Sequence, residues 1–158
     1  MLTQFRYTLF LLCCLSIPLR AQVVTVDPVF PTETDAVTIF YDATQGTAGL
    51  KDCNCTVYIH TGVITNESTA PSDWKYVQMD WAVENPDWAM TRVDGEANLY
   101  RFEITPSIRE YYGLATGETA ERLAMVFRNG DGSLEGKDVG GADIFYDIFA
   151  ENLAFTSS

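Results

Sequence analysis

Three tryptophans, Trp74, Trp81 and Trp88, fall within fifteen positions of one another. They follow a strand-like Val57-Tyr58-Ile59-His60 and precede a polar, glycine-rich stretch that runs from Phe127 through Asn129, Asp131 and Ser133 to Asp143. Indole and phenol rings near the surface of a small β domain offer flat apolar planes. The chemistry they suit is the holding of flat apolar ligand faces, those of sugar rings among them. Taken singly, each tryptophan is better explained as a core residue, because Trp is highly buried on average; what favours a ligand is the company these residues keep.

Catalytic constellations are not legible. His60 is the single histidine, so any Ser-His-Asp or Cys-His centre has to use it. Nothing around Ser68, Ser72, Ser107 or Ser133 resembles a strained nucleophile turn. Carboxylates are plentiful between Asp80 and Glu96, yet glycoside hydrolysis needs two of them fixed across a cleft, and no pattern specifies such a pair. The chain is therefore expected to be non-catalytic. Asn129-Gly130-Asp131-Gly132-Ser133-Leu134-Glu135 alternates oxygen donors as calcium loops do, but it lacks flanking helices and the terminal bidentate glutamate at full loop spacing. Asn-Gly and Asp-Gly are strong hairpin signals, so a turn is the simpler expectation. No metal and no cofactor is anticipated.

Residues 1–21 have the three-part plan of a secretory signal: a basic start, an apolar run from Thr8 to Leu19, and Leu19-Arg20-Ala21 as a cleavage site. The apolar run is short for a bilayer span. Leu12 before Cys13 does not provide the small residue that lipid anchoring requires, so soluble export is expected, to a secreted, periplasmic or cell-surface location. Without the leader, eight basic residues face 22 acidic ones, a net charge of −14. Such a surface repels phosphate backbones and anionic lipid, which sets aside nucleic acid and membrane as partners and leaves neutral ligands open. Cys53 and Cys55 are the cysteines beyond the leader. At a bent strand start they can form a small disulfide ring, although i, i+2 spacing on a regular strand holds the sulfurs rather far apart; free thiols remain the other reading. Asn54-Cys55-Thr56 and Asn66-Glu67-Ser68 match glycosylation acceptors.

Those candidate groups need a scaffold, and the patterning names one. Strand signals with period two recur at 23–26, 36–41, 56–61, 75–81, 90–93, 99–104, 123–127 and 144–148, separated by turn residues. Val37, Ile39 and Tyr41 share a face, as do Tyr100, Phe102 and Ile104. In the third segment Val57 and Ile59 face one way, Tyr58 and His60 the other. Seven or eight short antiparallel strands predict an all-β, immunoglobulin-like sandwich occupying 22–149. Between the sixth and seventh, Thr105 as cap, Pro106 at the first helical position and Gly113 as stop predict one short helix before the penultimate strand.

The linear order of Val57-Tyr58-Ile59-His60-Thr61-Gly62, Trp74-Lys75-Tyr76-Val77, the segments 90–93 and 99–104, the run 123–132 ending Phe127-Arg128-Asn129-Gly130-Asp131-Gly132, and Gly141-Ala142-Asp143-Ile144-Phe145 resembles an N-terminal domain of secreted bacterial α-amylase-type glucan-degrading proteins. The segment 105–113 and Gly117-Glu118 are similar to the stretch those domains carry before their penultimate strand. The likeness covers about 36–149. More distantly the order is similar to small starch-binding modules. By that resemblance Tyr58, His60 and Trp74 correspond to a sugar-stacking platform, and Asn129, Asp131, Lys137 and Asp138 to hydroxyl-binding polar groups. Where those modules carry Trp-Asp-Asn-Asn, this chain has Glu135-Gly136-Lys137-Asp138, without the aromatic. The resemblance implies a non-catalytic module that binds starch or another neutral α-glucan. Its alternative is an immunoglobulin-like docking domain of an amylase-type enzyme, with Trp81 and Trp88 in core or interface and no ligand of its own. Residues 150–158 look like the start of a further segment.

Overall fold

A computed structural model describes residues 22–151. The expected leader, and the segment after Glu151, lie outside the described residues. The chain is an all-β sandwich of two antiparallel sheets. Strands β1 (Val24–Asp27), β2 (Val37–Asp42), β5 (Leu99–Ile104) and β4 (Thr91–Arg92) form one sheet in the order β1-β2-β5-β4. In the other, β3 (Tyr58–Thr65) pairs with β6 (Ala120–Arg128), whose far edge carries β7 (Glu135–Gly136) and β8 (Ile144–Asp147). Strands 1-2-5-4 against 3-6 and the final pair is the strand order of an immunoglobulin sandwich.

The alternation read from the sequence is what the sheets use. In β2 Val37, Ile39 and Tyr41 point inward while Thr38, Phe40 and Asp42 lie half-covered on the outside. Tyr41 meets Phe127 of the opposite sheet as a stacked pair, with ring centroids 3.8 Å apart. Gly136 makes room for this contact, because a β-carbon there would stand 2.0 Å from the Tyr41 hydroxyl oxygen. Ile39, Ile59, Val63, Ile104, Leu123 and Met125 complete the centre, all fully buried.

Helix α1 (Ile108–Tyr112) closes one end of the sandwich. Its cap differs from the expectation. Ser107, not Thr105, accepts the Glu110 amide with its side chain, and Pro106 stands before the cap, following a cis peptide bond. The closing residue is Gly113 as expected, in the left-handed conformation with φ 70°. Tyr112 is buried, and its hydroxyl hydrogen-bonds Thr61 of β3 at 2.7 Å. Arg109 pairs with Glu33 at 2.7 Å.

One expected strand is absent. Within 75–81 Lys75 alone makes a bridge, to Val63, and the remainder turns. Tyr76 and Ala82 adopt positive φ values of 54° and 60°, a conformation that ends extended pairing. Another strand runs further than expected, β3 continuing to Thr65. The small β7 places two short strands after β6, so α1 precedes the third strand from the end. Cys53 and Cys55 are bonded to one another, their α-carbons 5.2 Å apart, in the bend that leads into β3.

Candidate functional site

The outer face of the β3–β6–β8 sheet carries the candidate site. Register places Tyr58 opposite Arg128, His60 opposite Val126 and Ala124 opposite Phe145, so these side chains share one face. The long connection between β3 and β4 folds back over that face. Lys75 exchanges two backbone hydrogen bonds with Val63, at 2.8 and 3.0 Å, and the Gln78 amide donates to Thr61 O at 3.2 Å. Gly62 lets this segment settle, since a β-carbon there would meet Lys75 O at 2.8 Å. Trp74 thereby stands edge-on to Phe145, with centroids 6.3 Å apart.

His60, Trp74 and Trp81 converge around an open cleft of about 380 Å³ that Lys137 and Asp143 also line. The imidazole lies 5.9 Å from the Trp74 ring and 5.3 Å from that of Trp81. Trp81 is 40% exposed, and Val77 beside it is exposed as well. Because the indoles are inclined 32° and 83° to the imidazole, their own planes stand at least about 50° apart, as aromatic groups do when packed edge-to-face. Burial, followed by the nearby Arg128 charge, holds the His60 imidazole below its ordinary pKa of 6.5, while Asp143 and Asp80 oppose the shift. A neutral imidazole therefore faces the cleft at pH 7. Its Nδ1 is buried without a partner. The Asp143 carboxylate makes no hydrogen bond or ion pair among the described residues, so an acceptor stands free beside the indoles. Lys137 contributes an ammonium, paired with Glu135 at 3.1 Å.

Of the seven residues singled out from sequence, three meet in this cleft: His60, Trp74 and Lys137. The other four lie elsewhere. Tyr58 sits at an outward register position but is buried, because Arg128 lies over its ring at 5.1 Å. It cannot serve as an exposed stacking plane. Asn129 and Asp131 spend their side chains inside the β6–β7 turn. Asn129 Oδ1 accepts from the Leu134 amide, and Asp131 Oδ1 accepts from both the amide and the hydroxyl of Ser133. That is the hairpin role, and these two line a separate, smaller cleft of about 270 Å³ with Tyr58. Asp138 caps a single 3-10 turn by accepting the Val139 amide at 2.7 Å, and borders a third depression of about 660 Å³ between β1 and β8.

Trp81 and Asp143 were missed from the sequence as site residues, as was the support that Phe145 gives Trp74 from outside the cleft. Trp81 belongs to the tryptophan cluster but stands in the cleft rather than in the core. The cue was Asp131-Gly132: a β-carbon at Gly132 would come 2.6 Å from the Trp81 indole nitrogen, so the glycine marks a close approach as well as a turn. Trp88 is half-buried against the core. Among the described residues no group of three or more His, Cys, Asp or Glu is placed to hold a metal ion, and no helix is long and apolar enough to cross a membrane.

The arrangement defines the class: an immunoglobulin-ordered β-sandwich with an aromatic cleft on the outside of its β3–β6 sheet. No protein-family description matches the chain, and no curated protein matches it.

Proposed function

We propose that the chain is a non-catalytic carbohydrate-binding module of an exported protein, and that the cleft between Trp74, Trp81 and His60 takes a neutral α-glucan of the starch type. The observation that carries this reading is the cleft itself, where indole planes, a neutral imidazole, an ammonium and an unpaired carboxylate face one open volume. Indole planes bind the apolar faces of pyranose rings, and the polar groups fix hydroxyls. Non-parallel indoles favour a chain whose successive rings turn, as an α-linked glucan's do, over the flat face of a crystalline polysaccharide. Each stack contributes about 1 kcal/mol beyond area burial. Two stacks and a few hydrogen bonds on an open surface correspond to a dissociation constant on the order of micromolar to millimolar.

Retention on insoluble starch, and titration with maltoheptaose, test the reading with Trp74→Ala and Trp81→Ala beside the parent. The parent is expected to be retained and both variants to be weakened at least tenfold. Equal retention of all three, or of none, removes it. The resemblance noted in the sequence implies a neighbouring catalytic domain that degrades glucan, and that neighbour is part of the proposal. Export with cleavage after Ala21 belongs to the reading, and N-terminal sequencing of secreted material checks it.

A second reading has its own support. Trp74 packs on Phe145 and Trp81 over Gly132, so the indoles also fasten the long connection to the sheet. In a docking domain that fastening is their whole task. Tryptophan emission that stays unchanged under saturating maltooligosaccharide, in folded protein, selects that reading.

A further inference from the structure

We infer that Arg128 is the positioning residue of the cleft: its buried guanidinium holds the segment 79–84 against the β6–β7 turn and so sets where the Trp81 indole stands. The ligand consequences rest on the reading above; the structural ones do not.

Arg128 ends β6 at an outward position, yet it is fully buried. A buried charge ordinarily finds a carboxylate. None forms an ion pair with it among the described residues, although the Glu84 carboxylate of the same segment is near enough to act on its charge. Nη1 and Nη2 go instead to backbone carbonyls of the turn that follows it and of a loop forty-five residues earlier, while Nε is buried without a partner among the described residues. Nη1 donates to Asn129 O and Gly130 O, both at 2.8 Å, and Nη2 donates to Val83 O at 2.6 Å, with Met79 Sδ at 3.8 Å. The two faces of the arrangement are aromatic, Tyr58 at 5.1 Å and Trp81 at 5.7 Å.

Side-chain packing also holds the segment, with Met79 buried and Trp81 against His60 and Gly132, but backbone hydrogen bonds to it are scarce. Among the described residues, the hydrogen bond from Arg128 to Val83 is the one made to the backbone of residues 79–84. Backbone pairing of the connection ends at Gln78 and resumes at Trp88. A planar fork with fixed donor directions can bridge Val83 O and the 129–130 carbonyls together. An ammonium on a flexible stem cannot span both sets while also lying flat beneath an indole. Arg128 therefore works through Trp81 rather than on a ligand, which it is too buried to touch.

The test uses the full chain labelled with 5-fluorotryptophan, giving three fluorine resonances, with that of Trp81 assigned by Trp81→Phe. In ligand-free Arg128→Lys, the Trp81 resonance is expected to move toward that of free indole and broaden, while those of Trp74 and Trp88 stay in place. Arg128→Met, which fills the volume without charge, should do the same. Maltoheptaose affinity should fall about tenfold in Arg128→Lys, yet change less than twofold when the same substitution is made in a Trp81→Ala background. An unmoved Trp81 resonance in folded Arg128→Lys overturns the inference. So does an affinity loss that persists undiminished in the Trp81→Ala background, or the failure of both Arg128 variants to fold, which makes Arg128 a residue of the fold alone. If the parent binds no maltoheptaose, the functional reading falls, and the fluorine spectra still decide the role of Arg128.

Discussion

Gly62→Ala separates the scaffold from the site it carries. Gly62 is buried in mid β3 and does not have a left-handed backbone, so alanine is conformationally allowed and its cost is steric. The new β-carbon would stand 2.8 Å from Lys75 O, 3.1 Å from Val77 Cγ2 and 3.5 Å from Trp74 Cβ. Something has to give, and the structure says which side. β3 is paired with β6 along its whole length, from Tyr58 opposite Arg128 to Thr65 opposite Ala120. The segment 74–78 is held to β3 by three backbone hydrogen bonds, each with a net worth of about 1 kcal/mol. Overpacking of this kind costs about 1–3 kcal/mol, so it matches what holds the segment and is far below what holds the sheet. Trp74 should lift away from Phe145 while the sandwich stays folded. Urea unfolding is expected to show a loss of about 1–2 kcal/mol. Maltoheptaose affinity should fall more than tenfold, equivalent to about 1.4 kcal/mol. Trp74 emission should shift to the red in the free protein. Full affinity in a variant whose Trp74 emission has moved would refute the reasoning that this indole's position is what the ligand reads.

Three further outcomes follow from named contacts. Because burial holds the folded-state pKa of His60 below 6.5, its contribution to stability is fully present above that value and is lost as pH falls through the lower folded value; His60→Gln should flatten that part of the thermal-midpoint profile between pH 8 and 4, and an identical profile contradicts it. Phe127→Ala removes a fully buried ring stacked on Tyr41 and should cost about 3–5 kcal/mol in urea unfolding, so a loss under about 2 kcal/mol would mean that the stack is not central. Ser107→Ala deletes the α1 cap and should lower stability by about 1 kcal/mol, whereas Thr105→Ala, outside the cap, should leave it unchanged.

Much of the fold was legible because half-buried strands write their inward residues at every second position. Val37-Ile39-Tyr41 and Tyr100-Phe102-Ile104 are buried as their alternation requires. Alternation says which way a side chain points and does not say whether that side is covered. Tyr58 shows the limit: its outward position was correct, but a connection of some twenty-five residues and a buried arginine roof it over. The stretch 75–81 shows another. Its Lys, Tyr, Val and Trp read as strand, yet the positive φ at Tyr76 and Ala82 depends on packing against β3 and β6, to which sequence propensity is blind.

The site divides along the same line. His60, Trp74 and Lys137 were named through the resemblance; register fixes the neighbours of His60, and Lys137 directly follows β7. Trp81 and Asp143 were not named, since they come from irregular segments sixty residues apart that meet only across the sheet. Asn129 and Asp131 misled for a chemical reason. Short polar side chains in an Asn-Gly-Asp-Gly turn bond their own backbone more readily than they wait for a ligand. Among the described residues the cleft's free acceptor is instead Asp143, one residue before β8, which no turn amide reaches. In this chain a polar residue's availability depends on whether the local backbone has already used it. By that standard the Trp81 surface, the imidazole Nδ1 and the Asp143 carboxylate are groups that the described residues leave unspent at the cleft.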